Sequence, residues 1–208
     1  MDWPFGDLPR GTAGVLLVDP PWHFKRYSEK KSALSVGRAP QDHYDTMTLA
    51  EMKRLPVRDL AGPNCVLLMW TTWPHLAQAM TLTKAWGFTY KTCGFDWMKA
   101  NVSTLDLFGG AIDADMKMGY WTRSNTEPCL LATRGKPKRL DAGVRMGIIE
   151  PSRQHSRKPD VVYERIERLV AGPYVELFAR TPRKGWSQWG NDLGKFKTAP
   201  VSENPSGA

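Results

Sequence analysis

Residues 15–22 constrain this chain more than any other stretch. Val15-Leu16-Leu17-Val18 is a short apolar run, β-branched at both ends and preceded by Gly11 and Gly14. Such a run predicts a buried strand. The strand has to end at Asp19. Pro21 has no backbone N–H, and its ring pushes Pro20 out of the helical region. Asp19-Pro20-Pro21-Trp22 is therefore a stiff, extended tetrapeptide at the carboxyl end of a strand. In open α/β sheets that is where ligands bind. One acid, two rigid prolines and one large aromatic plane meet there.

The rest of the chain supplies the sheet around it. Thr48 with Glu51 forms a capping box opening a short helix that ends near Pro56. Asn64 to Trp70 reads as a second buried strand. Thr72 can cap a helix from about Trp73 to Trp86, with Pro74 in its first turn and Gly87 past its end. Phe88 to Lys99 and Thr126 to Thr133 read as further strands, and Val144 to Glu150 as a short one. Pro159 fits the first turn of a helix whose apolar face is Val162, Ile166, Leu169 and Val170. Tyr174 to Ala179 follows as another strand. Strands and helices alternating at these lengths predict an α/β fold with a largely parallel sheet. Residues 1–194 read as one domain and residues 195–208 as a disordered tail.

Composition matters at three points. The formal net charge is +8, which favours an acidic partner, nucleic acid first. Cys65, Cys93 and Cys129 lie far apart inside apolar runs and lack metal-ligand spacing, so they read as buried thiols in a reducing compartment and no metal is expected. The sequence shows no signal peptide and no apolar run of about 18 residues. It therefore reads as a cytoplasmic protein with no membrane partner.

Three loop segments and one strand residue stand out. The segment after Trp22 carries Lys25, Arg26, Lys30, Lys31 and Arg38 around Tyr27, and with Arg123 it is the candidate nucleic-acid-binding surface. A second basic run, Arg134 to Arg139, could lie along a phosphate backbone or be plain solvated surface. Ala100 to Met118, with acids at Asp106, Asp113 and Asp115, is a candidate recognition loop or the contact of a homodimer. Glu176 is an acid inside an apolar strand, which is costly unless it is paired or bonded to a ligand.

The opening tetrapeptide suits one chemistry in particular. The lone pair of an exocyclic amino group on a nucleobase is delocalised into the ring. To be alkylated, that nitrogen must become more tetrahedral. Two acceptors aimed at its N–H bonds, the Asp19 carboxylate and the Pro20 carbonyl, favour the change by preorganisation. Trp22 offers a flat surface for a base taken out of its stack. No strong general base is needed, because the proton can leave once the nitrogen is cationic.

At these residues the chain resembles the MT-A-seventy family of adenine N(6)-methyltransferases, which use S-adenosylmethionine, and its compactness is similar to bacterial or phage members. The resemblance rests on Asp19-Pro20-Pro21-Trp22, on Trp121 with Glu127 and Cys129-Leu130, and on Ser156-Arg157-Lys158-Pro159-Asp160. It extends through Ile166-Glu167-Arg168-Leu169, Glu176-Leu177-Phe178-Ala179-Arg180, and Trp186 to Gly190-Asn191. It implies a Rossmann-like methyltransferase fold of about seven mostly parallel strands flanked by helices, in permuted motif order. It assigns catalysis to Asp19, Pro20, Pro21 and Trp22. It assigns the cofactor to Asp2, Trp3, Asp19, Lys158, Glu176, Leu177, Phe178, Arg180, Asn191 and Asp192, with Glu176 and Asn191 at the ribose. Eukaryotic members of the family often have a lysine near Glu127; here Asn125 and Thr126 stand there, with Arg123 nearby.

The implied function is methylation of the adenine amino group in nucleic acid, DNA ahead of RNA, in a bacterial or phage-infected cell. RNA adenine or cytosine N(4) as acceptor, and a non-catalytic nucleic-acid-binding subunit, remain open at this point. An unrelated nucleotide-binding protein is disfavoured by the lack of a P-loop or a GxGxxG pattern.

Overall fold

The computed structural model describes residues 2–23, 46–100, 121–153, 157–191 and 193. The loop residues Lys25, Arg26, Tyr27, Lys30, Lys31 and Arg38, the segment 101–120, Asp192 and the tail lie outside the described residues.

A seven-stranded sheet is the frame. Its strands are β1 (Ala13–Val18), β2 (Ala61–Trp70), β3 (Thr89–Ala100), β4 (Thr126–Arg134), β5 (Gly147–Pro151), β6 (Tyr174–Leu177) and β7 (Trp186–Trp189). Their order across the sheet is β5-β3-β4-β2-β1-β6-β7. β4 runs antiparallel to β2 and β3, and every other pairing is parallel. The expected strands are therefore present and mostly parallel. β7, four residues with two tryptophans, has no strand pattern of its own in the sequence. It gains its place by pairing with β6, Tyr174 opposite Trp186 and Leu177 opposite Trp189.

The helices α1 (Leu49–Arg54), α2 (Leu76–Ala85) and α3 (Val161–Leu169) cover the two faces. The capping box at α1 is complete: the Thr48 N–H donates to Glu51 Oε2 at 2.7 Å, and the Glu51 N–H donates to Thr48 Oγ1 at 3.3 Å. The helix expected over Trp73–Trp86 is split. Trp73–His75 form a 3₁₀ turn, and α2 starts only at Leu76. Thr72 does not cap it; its hydroxyl bonds His75 Nδ1 at 2.8 Å instead. α3 starts two residues after Pro159, with Asp160 as its N-cap.

β1 has both faces covered, which is why it is nearly apolar throughout. Leu16 and Val18 pack with Leu67, Met69, Met52 and Leu82 on the α1/α2 face. Val15 and Leu17 pack with Leu68, Trp70, Val162 and Ile166 on the α3 face. The chain leaves β1 toward β2 on one side, while β6 joins from the other side after α3. The crevice of this topology thus opens at the carboxyl ends of β1 and β6. Among the described residues no helix is long and apolar enough to cross a membrane.

Candidate active site

The tetrapeptide is held as the sequence suggests, with one difference. The Trp22 N–H donates to the Pro20 carbonyl at 2.8 Å, a three-residue turn centred on Pro21. That bond fixes the direction of the Pro20 carbonyl, whose second lone pair stays available. The Pro21 carbonyl is taken by the Met47 N–H at 2.9 Å. The difference is Trp22. Its ring is only 4% exposed, stacks on His75 at 5.5 Å and donates its indole N–H to the Trp70 carbonyl at 3.2 Å. It is a core residue that anchors the turn, and the expected open stacking surface is absent. A large apolar ring beside the buried strand end β2 is more stable inside than in water.

Strand alternation decides what faces the cleft. Val175 and Leu177 point to the α1/α2 face, so Glu176 points to the α3 face with Leu17. The same parity sends Asp19, Glu127 and Lys99 to that side, following Leu17, Cys129 and Trp97. The cleft there is lined by Asp19, Trp70, Lys158, Glu176, Phe178 and Arg180, among others. Of the expected cofactor residues, the structure thus gathers Asp19, Lys158, Glu176, Phe178 and Arg180 in one place. Leu177 is fully buried in the opposite core, so its side chain cannot serve. Asn191 is exposed in a turn and is not part of the cleft lining. Trp3 reaches the cleft only indirectly, through edge contacts from Trp3 to Phe5, Phe5 to Trp189 and Trp189 to Phe178. Asp2 and Arg123 are exposed.

Charged groups form a continuous chain across the cleft. Lys158 Nζ lies 2.9 Å from Asp19 Oδ2 and 3.5 Å from Glu127 Oε2. Arg180 approaches the same Asp19 oxygen at 4.0 Å. Lys99, nearly buried, hydrogen-bonds the other oxygen of Glu127 and lies 5.0 Å over the Trp97 ring. Burial by itself would lower the Lys158 pKa, but Asp19 and Glu127 outweigh it and hold the ammonium above the ordinary lysine value. Burial likewise would raise the Glu127 carboxyl, yet Lys158 and Lys99 keep it below the usual range.

Glu176 is satisfied at both oxygens. Tyr163 donates its hydroxyl to Oε1 at 2.8 Å, and Gln188 Nε2 donates to Oε2 at 2.7 Å. The Gln188 amide is oriented in turn, since its oxygen accepts the Arg183 N–H at 2.8 Å and its nitrogen also donates to the Thr181 carbonyl at 2.7 Å. Burial pushes the Glu176 carboxyl above the ordinary glutamate range; the two hydrogen bonds offset part of the rise and the Asp19 charge adds to it. Each oxygen retains a lone pair for a ligand.

The backbone beyond β6 is strained. Phe178 has φ 61°, a left-handed conformation unusual for a bulky residue. A Cβ at Gly190 would meet the Ala179 carbonyl oxygen at 2.3 Å, so only glycine permits this crossing. Strain of this kind persists where the surroundings over-determine it, often at ligand sites. On the far rim, Arg153, Arg157 and Arg183 converge on Asp160 at 2.7 to 3.0 Å.

The basic run after β4 belongs elsewhere. Arg134 pairs with Cys65 near the opposite end of β2 from Trp70. Five residues of strand, about 17 Å, separate that end from the cleft. Arg134 itself is spent on the Arg58 and Ala61 carbonyls.

Comparison with known proteins now decides the family. The model of the MT-A70 family, the MT-A-seventy family of the resemblance above, matches residues 13–192. The chain belongs to that family. Similarity extends to a Type II methyltransferase, M.MunI, of a Mycoplasma species, 31% identical over 93% of this chain and 83% of the relative. Human METTL4, an N(6)-adenine-specific methyltransferase, is 27% identical over 90% of this chain and 39% of its own length. Human METTL3, an N(6)-adenosine-methyltransferase catalytic subunit, is 27% identical over 88% of this chain and 28% of its own length. This chain thus spans less than half of those eukaryotic relatives.

Several residues of the cleft escaped the sequence reading: Lys99, Tyr163 and Gln188 as supports, and Glu127 as the partner of Lys158. Glu127 carried a weaker signal than Glu176, an acid at the start of a strand whose middle is apolar. Gln188 carried none.

Proposed function

We propose that this chain is an S-adenosylmethionine-dependent methyltransferase acting on the exocyclic amino group of adenine in nucleic acid, DNA ahead of RNA. The observation that carries the reading is the Asp19 carboxylate in one cleft with Glu176, next in sequence to a Pro20 carbonyl locked in direction by its turn. The bacterial relative that this chain matches over most of both lengths favours a compact bacterial or phage enzyme, acting in the cytoplasm.

The residues of the cleft fit the cofactor. S-adenosylmethionine carries an ammonium, a carboxylate and a ribose diol. Asp19 offers a carboxylate to the ammonium, Glu176 offers its remaining lone pairs to the diol, and Arg180 offers a cationic group to the carboxylate. The left-handed Phe178 lines the same space, and the bare Gly190 packs against the backbone of Phe178 and Ala179 behind it. When bound, this group supplies an electrophilic methyl on sulfur.

The chain's own residues prepare the acceptor. Asp19 and the Pro20 carbonyl accept the two N–H bonds of the amine and turn its lone pair out of the ring plane. Their geometry is set before the base arrives, so little reorganisation is left for the reaction itself. Asp19 also faces the positive charge that develops on nitrogen, and the proton leaves afterwards to water. Trp22 contributes by holding the turn. Trp73, 49% exposed and hydrogen-bonded to Thr126 Oγ1 at 2.9 Å, is an open aromatic surface beyond β2 and takes over the stacking role expected of Trp22.

Incubation with methyl-labelled cofactor and single- and double-stranded DNA and RNA, followed by digestion to nucleosides, tests this reading. Label in N(6)-methyladenine, with DNA ahead of RNA, is the expected result. Label in cytosine would move the acceptor, and no transfer to any of the four would reject the enzyme.

A further inference from the structure

Lys158 presents a conflict within the cleft. Its ammonium bonds the same Asp19 oxygen that Arg180 approaches. The proposed function, on which this inference rests, asks Asp19 to receive the ammonium of the cofactor. Two ammonium groups on one carboxylate in a half-buried site repel one another. A second carboxylate within reach of Lys158 relieves that repulsion.

The geometry supplies one destination. Glu127 Oε2 is already 3.5 Å from Lys158 Nζ, so the ammonium can swing toward it and away from Asp19 while keeping a carboxylate partner. Glu127 is held ready for it. Its other oxygen is bonded by Lys99, and both side chains are nearly buried, at 9% and 13% exposure. The Trp70 ring lies 5.7 Å from the ammonium, offering a face that tolerates the cation along the way.

We infer that Glu127, fixed by Lys99, is a positioning residue onto which Lys158 withdraws when a ligand's ammonium takes Asp19. Paired with Asp19, Lys158 holds the place that such an ammonium would take. In the loaded cleft Glu127 takes the lysine, and Asp19 is released to ligand and base. Glu127 touches neither reactant; it acts through Lys158 alone.

The test compares two ligands that differ in one group. S-adenosylhomocysteine carries the α-ammonium; its des-amino analogue keeps the carboxylate and the adenosyl part without it. Glu127→Gln alone leaves Lys99 buried without its acid, so the pair Lys99→Met/Glu127→Gln serves as the variant that keeps the fold, checked by its melting temperature. Calorimetry should show S-adenosylhomocysteine bound about tenfold more weakly by this variant, while the des-amino analogue changes by less than about twofold. In a Lys158→Met background the same pair of substitutions should change neither ligand's affinity. Equal weakening of both ligands, or an effect that persists without Lys158, would overturn the inference. So would wild-type affinity in the variant. Failure of the wild-type protein to bind either ligand would instead reject the proposed function, and this inference with it.

Discussion

Lys158 Nζ and Asp19 Oδ2 lie 2.9 Å apart, although 139 residues separate them in the chain. Asp19 ends β1, and Lys158 stands just before α3, on the opposite side of the topological switch point. The pair therefore ties together the two halves of the fold at the place where the ligand enters. Glu127 and Lys99 extend the tie into β4 and β3. The expected consequences can be measured.

Lys99→Met should destabilise the protein by about 3 kcal/mol, because it removes one partner of a nearly buried pair. Lys99→Met/Glu127→Gln should recover most of that loss. The sign with pH follows from the lowered Glu127 carboxyl. Its contribution is present above the unfolded glutamate pKa of about 4.3 and is lost as pH falls through the lower folded value. The difference in melting temperature between wild type and the double variant should accordingly shrink in acid. A difference that grows below pH 4 would contradict the arrangement.

Glu176→Gln should separate stability from binding. The folded protein holds the Glu176 proton more tightly than the unfolded chain does. Its contribution is thus fully present below the unfolded pKa and declines as pH rises through the raised folded value. An amide at this position cannot ionise, and its nitrogen cannot accept from Tyr163 or Gln188, so the melting temperature of the ligand-free variant relative to wild type should be lowest near pH 4 and rise toward neutral pH. The same variant should bind S-adenosylmethionine about tenfold more weakly, having lost a charged acceptor. A melting scan and a titration, each at several pH values, check both halves.

Trp22 distinguishes a core residue from a base platform. Trp22→Phe keeps a ring against His75 and loses only the bond to the Trp70 carbonyl, at a cost of about 1–2 kcal/mol. Turnover should stay within about tenfold of wild type. Trp22→Ala should cost 3–5 kcal/mol or so, as for other buried aromatic truncations. Near-complete loss of activity in a stable Trp22→Phe protein would restore the platform role.

Gly190→Ala should be harmful despite adding a single methyl group. The new carbon would press on the Ala179 backbone at 2.3 Å, which no side-chain rotation can relieve. We expect a loss of about 2–3 kcal/mol in unfolding free energy and weaker cofactor binding, because Phe178 and Arg180 flank Ala179. An unchanged melting temperature would show that the crossing is looser than described.

Much of this was legible in the residues. The strand before Asp19, the capping box at Thr48 and the apolar faces of β2 and α3 follow from local patterns of period 2 and 3.6. Glu176 announced itself because an acid in an apolar strand demands a reason. Trp22 was misjudged for a general cause: a large aromatic beside prolines can face either core or solvent, and only the arrival of His75 from the turn after β2 decides which. The Lys99–Glu127–Lys158–Asp19 chain was invisible because its members come from four elements, and strand order is not encoded locally. β7 went unrecognised since four residues with two exposed-looking polar neighbours have no period of their own; pairing with β6 creates the strand.

The most direct test of the account is nucleoside analysis of nucleic acid methylated by wild type and by Asp19→Asn. The variant keeps the shape of the side chain and removes its charge, and Glu127 remains to partner Lys158. The account predicts N(6)-methyladenine from wild type, a yield at least about a hundredfold lower from Asp19→Asn, and a melting temperature that shows the variant folded. Equal yields from the two proteins would contradict it.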